Sequence, residues 1–252
     1  MHSTPILYAD LAPWWPLLSD PAEYADEAAF VRQLLLEACD QPPRTLVEFG
    51  SGGGNNASHL KAHFQLTLVD RSPGMLAVSR ALNPECEHVE GDMRTIRLAC
   101  PRAVSGAGGR LFDAVFIHDA IDYMTTEEDL RRAMETAFVH CRPGGAAVFV
   151  PDFVRETFSP GTQHGGHDSA QRGLRYLEWT FDPDPADTTY LVDFAYILHE
   201  ADQAARILSD RHVCGLFARA DWLRLLREVG FEPRAVPDPD GRDEFVALKP
   251  GC

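Results

Sequence analysis

The sequence of 252 residues predicts an α/β fold, in which helices cover a mostly parallel sheet that carries a small antiparallel insertion. Residues 44–150 alternate short apolar strands with segments of helical periodicity, which is typical of a parallel sheet buried on both faces. Residues 151–215 alternate residue by residue instead, as antiparallel strands do. Apolar residues make up 45% of the chain, so one sizeable core can form and we expect residues 1–252 to be a single domain.

The elements follow from local periodicity and from turn residues. Residues 1–40 are aromatic and then helical, with a helix start at Asp20, Pro21 and Glu23. In the core we predict helices near residues 55–63, at 73–82 and after a capping box of Thr125 and Glu128. Predicted core strands cover residues 45–49, 66–70, 87–90, 112–118 and 146–150.

Glycine, alanine and proline make residues 99–110 a predicted mobile loop, and Pro143-Gly144-Gly145 should end the last core helix. In the insertion, residues 190–198 predict a long strand with partners at 174–181 and 206–213. Residues 216–252 predict a helix that stops at Gly230 and two closing strands, 231–236 and 244–248. The insertion sheet is the surface through which we expect a homodimer to form.

Charge excludes several classes of partner. The chain has 23 Lys and Arg against 38 Asp and Glu, a formal net charge of −15, which repels phosphate backbones and anionic lipid. We therefore expect neither nucleic acid nor a membrane as partner. No run approaches the ~20 apolar residues that span a bilayer, and no signal-like start is present, so we expect a cytoplasmic protein. The six cysteines form no CxxC pair, which favours free thiols over disulfides or a zinc site.

The most informative stretch runs from Val47 to Gly54, Val-Glu-Phe-Gly-Ser-Gly-Gly-Gly, between a strand and a helix. Its glycines let the backbone approach a ligand closely. A dinucleotide site would need a glycine where Asn55 stands, so the stretch does not predict a pyrophosphate cradle. What remains is an acid followed by alternating glycines: Glu48, Gly50, Gly52 and Gly54.

This pattern resembles motif I of the class I S-adenosylmethionine-dependent methyltransferases. Four later stretches resemble further motifs of that family in the same order, namely residues 68–76, 91–93, 112–115 and 142–145. The resemblance covers residues 44–150 and implies a Rossmann-like, seven-stranded, mostly parallel sheet. It also implies S-adenosyl-L-methionine as the cofactor.

The resemblance further implies cofactor contacts for particular residues. Glu48 supports the glycine turn and the amino-acid end of the cofactor, with Gly50 and Gly52 passing close beneath it. Asp70 accepts hydrogen bonds from the ribose diol, since a carboxylate offers two acceptors to two hydroxyls. Around the adenine we expect the carboxylate of Asp92, the backbone N–H of Met93 and the packing side chain of Met75, with Arg71 also at the cofactor.

Outside the core, the chain resembles small-molecule N-methyltransferases, including the sugar-nucleotide N,N-dimethyltransferases. The similar stretches are Tyr8-Ala-Asp-Leu-Ala, Tyr24-Ala-Asp-Glu-Ala, residues 158–161 and the insertion. This resemblance implies that the N-terminal helices, residues 1–40, form a lid and that Tyr24 contacts the cofactor carboxylate. Tyr123 stands where the sugar enzymes use a histidine.

Candidate proton acceptors occur in two places. His118 and Tyr123 follow the strand 112–118, at the edge where such sheets bind ligands. The resemblance to the methyltransferases also implies that His118 lines the cofactor near its sulfonium. His167 lies in the stretch His-Gly-Gly-His-Asp from His164, which could be catalytic, metal-binding or structural; two histidines alone are weak metal ligands, and we predict no metal site.

The sequence thus predicts methylation of a small-molecule acceptor, on nitrogen in preference to oxygen. A second interpretation is a carboxyl or other O-methyltransferase in which Arg172 or Arg175 meets an anionic substrate group. A third is a cofactor-binding regulatory or partner protein without methyl transfer.

Overall fold

The computed structural model describes residues 5–99 and 109–251, in which eleven strands form two sheets. The larger sheet has seven strands: β1 (Thr45–Phe49), β2 (Gln65–Asp70), β3 (Glu87–Glu90), β4 (Phe112–Ile117), β5 (Cys141–Phe149), β10 (Glu232–Pro237) and β11 (Asp243–Leu248). Their order across the sheet is β10-β11-β5-β4-β1-β2-β3. Within the described residues β11 is antiparallel to both of its neighbours, β10 and β5, and the other neighbouring strands of this sheet are parallel.

Helices cover both faces of this sheet, because its strands are apolar on both sides. On one face Leu46, Leu68 and Phe116 pack with residues of α2, and on the other Val115 and Phe149 pack with residues of α5 and α6. The helices are α1 (Trp15–Leu18), α2 (Ala25–Ala38), α3 (Asn55–Leu60), α4 (Pro73–Leu82), α5 (Glu127–His140) and α6 (Arg219–Val229). Short 3-10 turns cover Ile6–Tyr8, Ala12–Trp14, Pro21–Tyr24 and Asp119–Tyr123.

The smaller sheet is antiparallel and holds the N-terminal segment, residues 5–38. Its inward side chains, among them Leu174, Tyr196 and Leu198, form a separate apolar cluster with Leu7 and Trp14 of that segment. This packing places the N-terminal segment between the two sheets' inner surfaces. The strands are β6 (Gly161–Gly165), β7 (Arg172–Phe181), β8 (Thr189–Glu200) and β9 (Arg206–Gly215), paired in that order.

The predicted fold class is confirmed, and several predicted elements match to the residue, among them β1, β3 and α4. The predicted capping box is wrong by one position. Helix α5 begins at Glu127, so Thr126 is the cap and its hydroxyl accepts from Asp129 N at 3.2 Å.

Two further differences concern strands, and one predicted loop lies largely outside the described residues. Strand β5 begins at Cys141 rather than at residue 146, because the Pro-Gly-Gly stretch lies within it, where its pairing with β4 shifts register. Strand β6 was not predicted, since its residues are polar and exposed. Of the predicted loop 99–110, all but residues 99, 109 and 110 lie outside the described residues.

Two expectations from composition, on the cysteines and on membrane-spanning segments, can be compared with the structure. The described cysteines, Cys39, Cys86, Cys141 and Cys214, are free thiols. Among the described residues, no helix is both long and apolar enough to cross a bilayer.

Candidate functional site

The glycine turn between β1 and α3 forms the floor of a cavity. Gly52 has a φ of +52°, which favours glycine, and the nearest heavy atom to a Cβ built there is Met75 Cε at 3.6 Å. A Cβ on Gly53 would lie 2.3 Å from the Trp15 ring, so the missing side chain lets the indole cover the turn. Gly52 N also donates to Asp70 Oδ2 at 2.8 Å, which joins the turn to the end of β2.

The cavity has a volume of about 420 Å³ and opens at the carboxyl ends of β1, β2 and β4. This volume lies within the range of roughly 300–1,000 Å³ that small-molecule sites occupy. Most residues predicted for the site line it: Tyr24, Glu48, Gly50, Gly52, Asp70, Arg71, Asp92, Met93, His118 and Tyr123. Parallel strands bring their carboxyl ends to one edge of the sheet, and therefore motifs far apart in sequence meet here.

Asp70 is held by the backbone and keeps acceptor capacity. Its Oδ2 accepts from Gly52 N at 2.8 Å and its Oδ1 from Ser72 N at 2.7 Å. Burial raises the pKa of Asp70, while these backbone N–H groups act in the opposite direction. An ionised carboxylate oxygen has two lone pairs, so each oxygen can accept one more bond from a ligand hydroxyl.

Asp92 belongs to an ion-pair network at the other end of the cavity. Its Oδ2 lies 2.6 Å from Arg94 Nη2, and Arg94 Nη1 lies 3.1 Å from Asp129 Oδ2. The hydrogen bonds from Arg94 lower the pKa of Asp92. The carboxylate therefore stays ionised, and both of its oxygens accept hydrogen bonds from Arg94.

Glu48 is the cavity residue whose burial is most costly without a bound ligand. Its side chain is buried at the cavity wall, and its Oε2 has no hydrogen-bond partner within the described structure. Burial raises the pKa of Glu48 to about 8. A buried carboxyl without a partner is costly, and a bound cationic amino group would relieve that cost. The spare acceptors of Asp70, the open Gly52 and the orphaned Glu48 oxygen fit an adenosyl group joined to an amino acid.

Comparison with known proteins identifies the class of cofactor that fits the cavity. Residues 46–145 match the family described as "Methyltransferase domain". The dTDP-3-amino-3,4,6-trideoxy-alpha-D-glucopyranose N,N-dimethyltransferase of Streptomyces venezuelae is 25% identical, over 90% of this chain and 91% of its own length. The dTDP-3-amino-3,6-dideoxy-alpha-D-glucopyranose N,N-dimethyltransferase of Streptomyces fradiae is 28% identical, over 91% and 84% respectively.

Solved structures of methyltransferases are also similar to this chain. The sugar N-methyltransferase KedS8 from Streptoalloteichus sp ATCC 53650 superposes with a TM-score of 0.82 at 25% identity, covering 99% of this chain and 95% of that chain. CalS10, an amino pentose methyltransferase from Micromonospora echinaspora solved with S-adenosylmethionine, gives 0.74 at 24% identity, covering 90% and 91%, and shows the shared fold.

Residues 46–145 therefore form a methyltransferase domain, and the chain is an S-adenosylmethionine-dependent methyltransferase. The predicted enzyme class, the cofactor and action on a small-molecule acceptor are thereby confirmed. The alternative of a cofactor-binding protein without methyl transfer finds no support.

His118 lines the cavity of the methyltransferase, but its surroundings do not suit a base. Its Nε2 lies 2.9 Å from Glu27 Oε2 and 2.9 Å from Asp119 Oδ1, and Glu27 also pairs with Arg242 at 2.6 Å. Burial lowers the pKa of His118, yet the carboxylates of Asp119 and Glu27 outweigh burial and hold that pKa well above its usual range. A ring already protonated at neutral pH cannot take a proton from a substrate.

Tyr123 lies at the cavity beside an aromatic residue of the N-terminal segment. The rings of Tyr123 and Tyr8 meet edge to face, with centroids 5.6 Å apart. Trp15 and Tyr24 also line the cavity, and Tyr24 Oη lies 2.8 Å from Ser19 Oγ. The aromatic rings of the N-terminal segment therefore form one wall of the cavity.

The structure does not bring His167 to the cavity. Its side chain is 39% exposed, with Nε2 lying 3.3 Å from Glu23 Oε1, and its backbone N–H donates to Leu17 O at 2.8 Å. The loop thus ties the second sheet to the N-terminal segment, which is a structural role. Across residues 5–99 and 109–251, no cluster of three or more His, Cys, Asp or Glu side chains could hold a metal ion.

Two further outcomes concern residues near the turn. Met75 is fully buried beneath Gly52 and is not among the described residues that line the cavity, so its contact with adenine stays a prediction. Sequence reasoning missed Glu27, the ion-pair partner of His118, because Glu27 occupies an ordinary charged position in the first turn of α2. No local signal distinguishes it from a solvated helix residue.

Proposed function

We propose that this methyltransferase methylates the amino nitrogen of a sugar carried on a nucleoside diphosphate. The observation that carries the proposal is the similarity along about nine tenths of the chain to two dTDP-amino-sugar N,N-dimethyltransferases. That similarity extends beyond the cofactor-binding core to the N-terminal segment and the second sheet. The parts that differ most between methyltransferases with different acceptors are therefore shared.

The cofactor roles of individual residues are part of the proposal. Asp70 accepts from both ribose hydroxyls, Asp92 from the adenine amino group, and the Met93 backbone N–H donates to a ring nitrogen. Arg71 lines the same end of the cavity. When bound, S-adenosylmethionine supplies a methyl carbon that its positively charged sulfur makes electrophilic.

The opposite end of the cavity holds the amino-acid part of the cofactor. Glu48 faces its ammonium group, above Gly50 and Gly52. Tyr24 meets its carboxylate, and the rings of Trp15 and Tyr24 exclude water from the reacting atoms. The residues then need only align the acceptor nitrogen with the methyl carbon.

Acidic side chains beside the cavity favour an amine as the acceptor. Asp119 lines the cavity. Burial and the charge of Asp119 together raise the pKa of Glu178. Acidic groups that interact in this way attract an ammonium group and repel a carboxylate.

The arginines predicted for an anionic acceptor lie elsewhere. The guanidinium of Arg172 stacks on Trp14, 4.8 Å from the ring centroid. Arg175 pairs with Asp168 at 2.6 Å on the exposed face. Neither is among the described residues that line the cavity, which argues against the carboxyl O-methyltransferase interpretation.

The test uses the purified protein, S-adenosylmethionine and a dTDP-linked 3-amino sugar. We expect products with one and then two added methyl groups by mass spectrometry, with matching release of S-adenosylhomocysteine. The matched control is the same nucleotide sugar with a hydroxyl in place of the amino group, which should remain unmethylated. Methylation of the hydroxyl sugar, or of neither compound, would refute the proposal.

We also propose that two copies pair through the outer face of the second sheet. Large apolar side chains are exposed on that face: Leu177, Trp179, Ile197 and Ile207, with Ile207 73% exposed. Exposed apolar clusters on a soluble domain mark interaction surfaces.

The cytoplasmic location stays a prediction from the sequence, and cell fractionation tests it.

A further inference from the structure

A row of hydrogen bonds leads from the cavity into the second sheet. Tyr123 and Tyr8 both line the cavity, and Tyr123 Oη donates to Tyr8 Oη at 3.0 Å. Tyr123 Oη also lies 2.7 Å from Nδ1 of His212 on β9, and Nε2 of the same ring lies 3.2 Å from Asp210 Oδ2. An acid, an imidazole and two phenols from three parts of the fold therefore form one continuous row that ends at the cavity.

The imidazole is enclosed by protein. His212 is 3% exposed and packs on Phe194, with ring centroids 4.9 Å apart. The titratable groups around it come from each neighbouring element: Tyr8, Tyr123, Glu178 of β7, Tyr196 of β8, and Asp210 and Cys214 of its own strand. Solvent therefore does not reach Nδ1 directly, and Tyr123 is its hydrogen-bond partner.

The row can hold its protons in two ways. An ionised Asp210 only accepts, so Nε2 of His212 carries a hydrogen. When Nδ1 is also protonated, the ring donates to Tyr123 and Tyr123 donates to Tyr8. When Nδ1 is bare, both hydroxyls turn, so that Tyr8 donates to Tyr123 and Tyr123 donates to the ring. The two arrangements differ by one proton moved between the cavity and His212.

We propose that His212 is a positioning residue that takes up, through Tyr123 and Tyr8, the proton that the acceptor ammonium loses before methylation. An N–H bond of the ammonium breaks, each hydroxyl passes one proton along the row, and an N–H bond forms at Nδ1 of His212. The positive charge moves from the substrate to an imidazolium beside Asp210. This inference rests on the proposed function, since it needs an amine acceptor.

Two other groups at the cavity are not suited to this role. Although burial lowers the pKa of His118, the carboxylates of Asp119 and Glu27 hold that pKa well above its usual range, so the ring favours its protonated form. Burial holds the pKa of Tyr123 well above its usual range, so its phenolate is not a resting base. Tyr123 instead transmits a proton, which requires a proton acceptor behind it, and Nδ1 of His212 lies 2.7 Å from its hydroxyl oxygen.

The test compares His212→Asn with the wild-type enzyme. Asparagine keeps a hydrogen-bond acceptor near the position of Nδ1 but cannot be protonated. At about pH 7 we expect kcat to fall about 100-fold, the lower end of general acid–base effects. At about pH 9.5, where the free amine prevails in solution, the deficit should shrink to about threefold. The exposed His199→Asn is the matched control and should behave like wild type.

Tyr123→Phe interrupts the same row and should reproduce this pH profile. The double variant His212→Asn with Tyr123→Phe should be no slower than either single variant, because both break one pathway. The control for the lost phenol is Tyr196→Phe, because the buried hydroxyl of Tyr196 has no hydrogen-bond partner among the described residues. A deficit that is constant across pH, additive losses in the double variant, or normal rates at about pH 7 would overturn the proposal.

A measurement that needs no catalytic turnover can distinguish failure of this inference from failure of the proposed function. Nitrogen NMR of histidine-labelled enzyme with S-adenosylhomocysteine should show, at alkaline pH, His212 with a hydrogen on Nε2 and a bare Nδ1. Tyr123→Phe should change the Nδ1 signal and leave the His199 signal unchanged. A hydrogen on Nδ1 in the neutral ring would overturn the inference, whereas failure of amine methylation by the wild-type enzyme would refute the proposed function.

Discussion

Asp70→Asn is the substitution whose effect the structure constrains most closely. The carboxylate accepts from two backbone N–H groups, Gly52 N at 2.8 Å and Ser72 N at 2.7 Å. An asparagine has one acceptor oxygen, so one of those buried N–H groups must face an NH₂ group. Leaving one buried donor unpaired costs about 1–3 kcal/mol of folding stability.

The same change removes the charged acceptor that we assign to the ribose diol. We expect the binding free energy of S-adenosylhomocysteine to weaken by about 1–3 kcal/mol, which is roughly a 5- to 150-fold rise in Kd. Calorimetric titration measures this directly, and thermal unfolding measures the stability loss. The control is Asp240→Asn, the same chemical change at an exposed position. An unchanged Kd for Asp70→Asn, with an intact fold, would remove Asp70 from the cofactor site.

Three further predictions concern a buried acid, the dimer face and the histidine loop. Burial raises the pKa of Glu48 from 4.5 to about 8, so stability present below about pH 4.5 is lost as pH rises through about 8. Glu48→Gln should abolish that loss, on the order of a few kcal/mol, in denaturant melts of cofactor-free protein. Trp179→Glu places a charge on the exposed apolar face and should shift the protein from dimer to monomer in light scattering. His167→Ala should leave kcat within about twofold, because its ring lies outside the cavity.

Each of these has a result that would contradict it. An identical pH dependence of stability in wild type and Glu48→Gln would mean that the carboxyl is solvated. Leu36→Glu changes a similarly exposed apolar residue on α2, so equal dissociation of both variants would argue against the second sheet as the interface. A tenfold drop in kcat for His167→Ala would restore the catalytic role predicted from its sequence context.

The cofactor side of the site was predictable because it depends on local signals. Glu48, Gly52, Asp70 and Asp92 each stand in a short motif at the end of a strand, and the edge shared by parallel strands brings them together. The glycine turn needs no distant partner to adopt positive φ at Gly52.

The groups that bear on proton transfer were not predictable in the same way. His118 has the right position in sequence, yet Glu27, 91 residues away, helps to hold its pKa well above its usual range. His167 has a suggestive sequence context but pairs with Glu23 and is not among the described residues that line the cavity. Tyr123 meets His212 across 89 residues through the register of β9, which no periodicity specifies.

By itself, the sequence determined the α/β class, most of the core strands and the motif residues that line the cavity, since each of these is written in runs of fewer than about ten residues. Only the tertiary structure decided which titratable groups face one another, because strand register and the docking of the N-terminal segment depend on packing between distant parts of the chain. Proton affinity depends on those neighbours more than on residue type, and for that reason the candidate bases changed when the fold was known.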